Sequence, residues 1–380
     1  MKNIIVCFYG LVLPKDIERD IRTTVWDGLF YALDKYASLR KMEVWQIFLT
    51  NESTINISNI KTLNVTKLIF IPKKIWNVHL FLFPHVKKIA VLQINTFPKP
   101  WLELPLVIIS KILRIKVIDI MHNVYINNLS NKLGFLGKLA EIYYTNFYLK
   151  LVDCELVYTE YAKSSIKKYV RKELHVLPLG VTNDFLEFSN QTSDKNSEQL
   201  IVAYVGVIDP LKKVEDITKA IASINERNRI TLWIIGPVRD QEYFKQLKDE
   251  LRRGKVNYKF LGFIKHRDLP EVYKKIHLVI NMCPVEAFPR TFLEAMACGT
   301  PVIGNKNAYG PRTLIINEWN GYLVNDVDSL SYIIRELLDK PEKLQRISRN
   351  CRAFVKSLYS SERTFEHLKV ILDRLLFKTQ

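Results

Sequence analysis

The order of apolar runs and helical patterns constrains this fold more than any other feature of the sequence. Strand-like runs such as NIIVCFYGLV and KVIDIMH each precede a segment with helical periodicity. The same alternation restarts after residue 199, with LIVAYVGVI, ITLWIIG and HLVINMCP as the strand-like runs. Strands that alternate with helices form parallel sheets covered by helices on both faces. The sequence therefore predicts an α/β protein with two successive open sheets.

Chain length and one polar stretch predict the domain boundaries. A chain of 380 residues is long enough for two domains, since domains run to roughly 100–200 residues. Residues 185–199 are polar and lack periodicity. We expect an N-terminal domain over 1–184, a linker over 185–199 and a C-terminal domain over 200–360. A C-terminal helix over 361–380 could pack back on the N-terminal domain.

The charge balance suits an anionic partner. The net charge is +17, and the first 180 residues contribute most of it. Membrane phosphates, a nucleic acid or a phosphorylated substrate would all fit such a surface. A lysine-rich surface that is merely solvated would give the same balance. A nucleic-acid-binding protein would carry a helix-turn-helix, KH or RNP motif, and none is visible in this sequence.

The cysteines and the N-terminus indicate the compartment. The five cysteines are widely scattered without a C-x-x-C pair, which favours free thiols in a reducing compartment. The apolar start of the chain runs into LPKD without a small-residue cleavage site, so we interpret it as the first strand. No charge-free apolar stretch reaches the roughly 18 residues of a membrane-spanning helix. We expect a cytoplasmic protein, with peripheral attachment to the inner face of the cell membrane as a second expectation.

Residues 283–305, CPVEAFPRTFLEAMACGTPVIGN, carry the most informative local pattern. A buried strand ends near Cys283, Pro289 stands where a helix would begin, and Gly299 stands where it would end. Another strand, PVIGN, follows. Free backbone amides at the start of such a helix form an anion site that suits a diphosphate.

Two carboxylates accompany the start of this helix. Glu286 falls in the loop before it, and Glu294 lies one turn into it. Each has an ordinary explanation by itself, Glu286 as a solvated loop acid and Glu294 as an i,i+4 partner of Arg290. Their occurrence together, within a strand–proline–helix–glycine pattern, favours a binding site.

With Glu286 and Glu294 eight residues apart, the segment resembles the E-x7-E signature of retaining nucleotide-sugar glycosyltransferases of the GT-B fold, the group 1 family (family 4). Four other stretches of the chain also resemble the family and occur in the family's order: HNVY, HVLPLGVTNDF, YVGVIDPLKKVEDITKAI and GPRTLIINEWNGYLV. The resemblance is strongest in the C-terminal half and weak before residue 115. It implies two Rossmann-like domains that face each other across a cleft. The N-terminal one would bind the acceptor and the C-terminal one the nucleotide-sugar.

The resemblance also implies roles for individual residues. Among the catalytic residues, Glu286 would contact the sugar, Lys212 would neutralise the diphosphate, and His122 would lie beside the donor sugar and face the acceptor. Glu294 would bind the ribose hydroxyls. The remaining donor-binding positions are Gly206, Lys213, Phe263, Ile264, Ala287, Phe288, Pro289 and Arg290. Gly10, in the first strand–helix turn, would approach the acceptor or a phosphate. The implied reaction transfers a hexose-type sugar to a glycan or a lipid-linked glycan, without a cofactor.

The sequence departs from the family pattern at several positions. Val207 stands in place of an arginine that contacts the diphosphate, Lys213 in place of a glycine, and Thr313 in place of an acid. We expect Arg290 to supply the missing positive charge. The departure at Val207 leaves a second hypothesis open, in which the chain is a catalytically silent homologue that acts as an assembly partner.

The choice of base and the use of a metal can also be predicted. Some guanine-using relatives carry an aspartate at the position of Lys265, which favours UDP over GDP here. The D-x-D of Asp326 and Asp328 precedes a helix, and we interpret it as a turn with an N-cap. The sequence therefore predicts no metal site.

One N-terminal helix, near residues 132–150, interleaves basic and aromatic residues. Its members are Lys132, Phe135, Lys138, Tyr143, Tyr144, Phe147, Tyr148 and Lys150. The helix could simply pack in the N-terminal domain with its lysines in water. It could also form a membrane-interfacial surface close to a lipid-linked acceptor.

Overall fold

The computed structural model describes residues 3–12, 27–50, 56–59, 65–72, 75–96, 100–121, 129–187 and 199–377. It divides into two compact units. The first combines Trp26–Leu179 with the N-terminal strand and with Ser361–Gln380, and the second is built mainly from Gly180–Ser360. The five cysteines are buried free thiols. Among the helices of the described ranges, none combines the length and the apolar character that crossing a bilayer requires.

The first unit is built on an eight-stranded sheet. Its strands are β1 (Ile4–Val12), β2 (Glu43–Thr50), β3 (Asn56–Asn59), β4 (Thr66–Pro72), β5 (Ile89–Thr96), β6 (Lys116–Met121), β7 (Cys154–Val157) and β8 (Glu173–Val176). The sheet order is β3-β4-β2-β1-β5-β6-β7-β8, parallel except for the antiparallel pair β3 and β4. The helices are α1 (Asp27–Arg40), α2 (Ile75–Leu82), α3 (Pro100–Ile112), α4 (Leu129–Tyr143) and α5 (Glu160–Ile166).

The second unit is built on a six-stranded parallel sheet. Its strands are β9 (Leu200–Val205), β10 (Ile230–Ile235), β11 (Asn257–Gly262), β12 (Leu278–Asn281), β13 (Val302–Asn305) and β14 (Gly321–Val324), and its helices are α6 (Asn183–Glu187), α7 (Val214–Ala222), α8 (Gln241–Arg253), α9 (Leu269–Tyr273), α10 (Arg290–Ala297), α11 (Tyr309–Leu314), α12 (Val327–Asp339) and α13 (Pro341–Leu358). The last helix of the chain, α14 (Ser361–Phe377), belongs to the first unit. The α/β architecture with two sheets that the sequence predicts is confirmed.

The strand order of the second sheet determines where a ligand can bind. The order is β11-β10-β9-β12-β13-β14, so the chain proceeds in one direction from β9 and in the opposite direction from β12. In open parallel sheets the ligand lies at such a switch point, outside the carboxyl ends of the two strands. The loops after β9 and β12 are therefore the first places to look for a site.

Local capping explains two helix starts in the second unit. The side chain of Asp240 accepts a hydrogen bond from the Tyr243 amide and caps α8. Asp326 caps α12 and forms a capping box with Ser329. The interpretation of Asp326 as an N-cap is thus confirmed, and its carboxylate serves the helix.

Three details differ from the sequence-based expectations. Residues 185–187, assigned to a linker by their composition, belong to α6, because Phe185 is buried in the core of the second unit; residues 188–198 lie outside the described ranges. Gly10 lies within β1, which continues to Val12, so the turn follows later and also falls outside them. The helix expected near 132–150 has a kink at Gly134 and a π-helical turn over Tyr144–Tyr148.

The C-terminal helix α14 packs against α1 within the first unit. Lys35 pairs with Glu362 at 2.5 Å, and the Tyr36 hydroxyl donates to Asp373 at 2.9 Å. Arg40 also pairs with Asp373. The last seventeen residues of regular structure are therefore part of the fold of the first unit.

Candidate functional site

An ion pair lies at the switch point of the second sheet. Lys212 ends a 3-10 turn, Pro210–Lys212, which follows β9, and Glu286 lies in the loop after β12. Lys212 Nζ is 2.9 Å from Glu286 Oε2, and the two side chains are 25% and 17% exposed. The structure therefore brings together, at a partly buried position, the cation and the carboxylate that the sequence singles out.

Neighbouring groups hold Glu286 from both its ends. The Asn281 amide donates to Glu286 Oε2 at 3.3 Å, while the Cys283 amide donates to Asn281 Oδ1 at 2.9 Å. The Gly310 amide donates to the Glu286 carbonyl at 2.9 Å. A Cβ at Gly310 would come within 2.5 Å of that carbonyl oxygen, so only glycine permits this approach. Glu286 is thus fixed before any ligand arrives.

The electrostatics of the pair keep Lys212 charged. Burial alone would lower the pKa of Lys212, but the Glu286 carboxylate, together with Cys283 and Asp209, outweighs that effect, and the pKa is raised above the usual lysine value. Lys212 is therefore a cation at neutral pH. A fixed cation beside a fixed carboxylate can stabilise opposite charges that develop on two neighbouring parts of one substrate.

Glu294 lies one turn into α10 and is almost completely buried, with 4% exposure. Its carboxylate contacts His266 Nε2 at 2.9 Å, the Tyr273 hydroxyl at 3.5 Å and the Arg290 guanidinium at 3.7 Å. Burial would raise the pKa of Glu294, but these groups, His266 first, hold it below its usual value. Since the folded-state pKa is the lower one, this carboxylate stabilises the fold above its unfolded pKa. The contribution is lost as pH falls through the lowered value.

The start of α10 has the form that anion sites use. The helix begins at Arg290, with Pro289 as an N-cap that offers no side-chain hydrogen bond to the first amides. It ends at Ala297, and Gly299 follows with φ 77°, so the predicted glycine stop is confirmed. The helix therefore starts one residue later than Pro289. A turn of backbone amides there can receive an anion.

Arg290 pairs with Glu294, which a role in phosphate binding alone would not require. Its side chain is only 13% exposed and pairs with Glu294 along the helix. The ordinary explanation of this residue as an i,i+4 partner is therefore part of the structure, in a setting that is more buried than a surface pair. Its service to a diphosphate stays a prediction.

The remaining donor-binding candidates lie in loops of the second unit. Gly206 follows β9, and a Cβ at the neighbouring Gly236 would come within 1.9 Å of the Gly206 carbonyl. Phe263 and Ile264 follow β11, with Phe263 exposed and Ile264 packed partly on the core. Ala287 is buried, and Phe288 lies partly buried on the same core.

Lys213 has a backbone conformation that explains a departure noted in the sequence. Its φ and ψ are 55° and 42°, in the left-handed region, which costs a non-glycine residue about 1–2 kcal/mol. A glycine at this position, as in the family pattern, would avoid that cost. The exposed side chain makes a 3.4 Å pair with Glu215, a contact that contributes little.

We expect Lys213→Gly to stabilise the protein by about 1 kcal/mol, because glycine adopts the left-handed conformation without strain. Urea unfolding would measure the change. Lys255 has φ 51°, so Lys255→Gly is a matched control of similar expected gain. A loss of stability in Lys213→Gly, beside a gain in Lys255→Gly, would show that the lysine side chain holds the loop.

The two candidates for the acceptor side are His122 and Gly10. His122 lies outside the described ranges. Gly10 lies in β1, and the turn to which it was assigned falls outside those ranges. The acceptor side of the proposed site therefore stays a prediction.

Sequence reasoning missed two residues that hold the carboxylates, His266 and Asn281. Each follows or ends a strand of the second sheet, β11 and β12 respectively, at its carboxyl end. A polar residue at that position was the available signal.

In the first unit, strand pairing places the possible metal-ligand atoms of Cys154, Glu173 and His175 within 4.8 Å of one another. Glu173 also pairs with Arg374.

Comparison with known proteins decides the class of the second unit. Residues 187–354 match the family model described as glycosyl transferases group 1. This region is a group 1 glycosyl transferase domain. The Lys212–Glu286 pair, Glu294 and α10 all lie within the group 1 domain, as the resemblance implied.

Relatives and solved structures agree with this assignment. An uncharacterised glycosyltransferase of Methanocaldococcus jannaschii is 30% identical over 178 residues, which cover 46% of this chain and 45% of that protein. A GDP-mannose-dependent monoacylated alpha-(1-6)-phosphatidylinositol monomannoside mannosyltransferase of Corynebacterium glutamicum is 29% identical over 183 residues, 46% of this chain and 47% of that one. The chain thus spans less than half the length of these relatives. Anabaena HepE, solved with UDP and glucose, is 17% identical with a TM-score of 0.74 over 97% of this chain and 99% of that one. The GT-B fold is confirmed.

Proposed function

We propose that the protein is a retaining glycosyltransferase that moves a hexose-type sugar from a nucleotide-sugar to a glycan or lipid-linked glycan. The observation that carries this proposal is the 2.9 Å pair of Lys212 and Glu286 at the switch point of the group 1 domain. The bond to be broken joins a sugar to a diphosphate. A carboxylate for the sugar and a cation for the phosphate must therefore lie side by side.

Each residue would act on charge that develops in the transition state. As the anomeric bond breaks, positive charge grows on the sugar ring and negative charge on the diphosphate. Glu286 would orient and stabilise the sugar, while Lys212 and the amides at the start of α10 would stabilise the diphosphate. Glu294 would bind the ribose hydroxyls. Attack on the same face, with the leaving phosphate accepting the acceptor proton, would retain the anomeric configuration.

We propose that the donor nucleotide is UDP, with uracil as the preferred base. We expect that the reaction requires no metal. Lys265 stands where some guanine-using relatives carry an aspartate, and Anabaena HepE was solved with UDP and glucose. The GDP-mannose dependence of the Corynebacterium glutamicum relative makes GDP the main competitor. Since Lys212 and helix amides supply the positive charge at the diphosphate, a chelator should leave turnover unchanged.

The acceptor is proposed to meet the donor sugar beside His122, with Gly10 in the acceptor or phosphate loop. The Corynebacterium glutamicum relative is named for a phosphatidylinositol mannoside substrate, which supports a lipid-linked acceptor as one form. Such an acceptor would require a cytoplasmic protein that works peripherally at the inner face of the cell membrane.

The competing function is a catalytically silent homologue, favoured by Val207. Incubation with a panel of nucleotide-sugars, with release of the nucleoside diphosphate as the readout, separates the two. Two results support the retaining transferase: release that depends on Glu286, and a product whose anomeric configuration by NMR is the same as that of the donor. Nucleotide binding without release from any donor, with or without added glycans, supports the silent homologue.

A further inference from the structure

Three helices of the first unit cover the same face of its sheet. The inner sides of α2, α3 and α4, with the π-helical turn that follows α4, pack on one core through residues such as Val78, Leu106 and Tyr148. The Tyr144 hydroxyl donates to Glu103 at 2.5 Å and joins the π-helical turn to α3. The opposite sides of these helices therefore form one outer layer of the unit. A water-facing layer of this kind is expected to be polar.

The outer side of α4 is apolar instead. Phe135 and Leu136 are 75% and 71% exposed, and Leu139, Ile142 and Phe147 are exposed as well. Successive spacings of one, three, three and five residues keep them on one side of α4 and of the π-helical turn that follows it. The two tyrosines of the π-helical turn, Tyr144 and Tyr148, are buried. The described residues thus place a second apolar stripe on this helix, with each of its side chains at least 44% exposed.

The two other helices continue this surface. On α3 and the residue after it, Ile108, Ile109, Ile112 and Leu113 are exposed, with Ile112 at 73%. At the end of α2, Leu80 and Phe83 are exposed at 70% and 75%. Exposed apolar side chains scattered singly need no explanation, but a set of eleven on one layer marks an interaction surface.

The charge of this segment indicates the chemistry of the partner. Residues 73–150 contain eleven lysines and arginines but only three acids, Glu103, Asp119 and Glu141. Two of the acids, Glu103 and Asp119, are buried. Lys87, Lys88, Arg114 and Lys138 are exposed on or directly after these three helices, and Lys116 is exposed at the start of β6. The outer layer is therefore apolar and positively charged at once.

We propose that the outer layer of α2, α3 and α4 binds the surface of an anionic lipid bilayer. Large apolar side chains on helices that lie in the interface are buried among the acyl chains, and lysines beside them attract anionic headgroups. A second copy of this chain fits less well, since self-association would bring two basic faces together. The inference rests on the first unit alone, so it survives or fails independently of the donor site.

Sedimentation of the full chain with vesicles tests this inference. The protein should bind vesicles of phosphatidylcholine with phosphatidylglycerol, bind phosphatidylcholine vesicles weakly, and lose binding as salt rises. Phe135→Ser with Leu136→Ser should weaken the partition coefficient at least about tenfold. Lys138→Glu should weaken it about tenfold on the anionic vesicles alone. The matched control, Tyr332→Ser with Val370→Ser, changes two side chains that are each 60% exposed on other helices and should bind as wild type does.

The outcomes that contradict the inference are distinct. Equal partitioning of wild type and of the Phe135→Ser, Leu136→Ser variant would remove this surface as the site. Absence of vesicle binding, with a dimer in analytical ultracentrifugation that the same variant dissociates, would make the layer a self-association face. Urea unfolding of the variant at the wild-type midpoint verifies that the fold is intact.

Discussion

Lys212→Ala is expected to lower turnover by roughly thirty- to nine-hundred-fold, which corresponds to a loss of about 2–4 kcal/mol of transition-state stabilisation. Lys212 is a partly buried cation 2.9 Å from Glu286, and its raised pKa keeps it charged at neutral pH. A diphosphate that leaves beside it would gain a charge-assisted hydrogen bond as the bond breaks. Steady-state kinetics with the donor identified by the nucleotide-sugar panel would measure the loss.

The neighbouring lysine provides the matched control for this variant. Lys213 is exposed and contacts Glu215, so Lys213→Ala should keep turnover close to wild type. The reverse result, with Lys213→Ala inactive and Lys212→Ala fully active, would shift the assignment by one residue. Lys212→Ala could also leave Glu286 without its cation, so unfolding of both variants should be measured alongside.

Glu294→Ala is expected to weaken nucleotide binding about thirtyfold, whereas Glu286→Ala should mainly lower kcat. A carboxylate that accepts two hydrogen bonds from ribose hydroxyls contributes about 2 kcal/mol to binding. Glu286 lies beside Lys212 in the loop and would contact the reacting sugar, so its loss should act on the transition state. Calorimetric titration with the nucleoside diphosphate, beside kcat for both variants, would measure the two effects separately.

Packing around Glu294 requires its own control, because the carboxylate also contacts His266, Tyr273 and Arg290. Tyr273→Phe removes one of these contacts and keeps the carboxylate, so it should bind nucleotide almost as wild type does. Equal affinities of wild type and a folded Glu294→Ala would rule out the ribose assignment. A similar loss in Tyr273→Phe would assign the effect to packing.

Local patterns in the sequence predicted much of the group 1 domain. Apolar runs predicted most of its strands, since a buried parallel strand can be recognised by such a run. Pro289 and Gly299 bounded α10 because each restricts or permits a particular backbone conformation. Glu286 and Glu294 followed from their spacing across that helix start. The contact between Lys212 and Glu286 depends on the strand order of the sheet. The two residues were placed in one site by the resemblance to the family.

Contacts between distant segments could not be predicted in the same way. His266 and Asn281 hold the two carboxylates, yet nothing in their immediate sequence distinguishes them from other polar loop residues. Phe185 was assigned to a linker because its neighbours in sequence are polar. It is buried because it packs on the core of the second unit, which a local pattern does not show. The π-helical turn after α4 likewise depends on how Tyr144 and Tyr148 pack on the sheet.

The central claim is that the group 1 domain binds a nucleotide-sugar through Glu294 and Lys212. Titration of the full chain with UDP, GDP, ADP and the corresponding nucleotide-sugars, with affinity and protein stability as the readouts, tests this claim most directly. The account predicts that a uridine nucleotide binds best. At about a hundred times its Kd it should stabilise the protein by about 2.7 kcal/mol, and Glu294→Ala should bind it more weakly at unchanged fold. Failure of every nucleotide to bind, or equal binding by wild type and Glu294→Ala, would contradict the account.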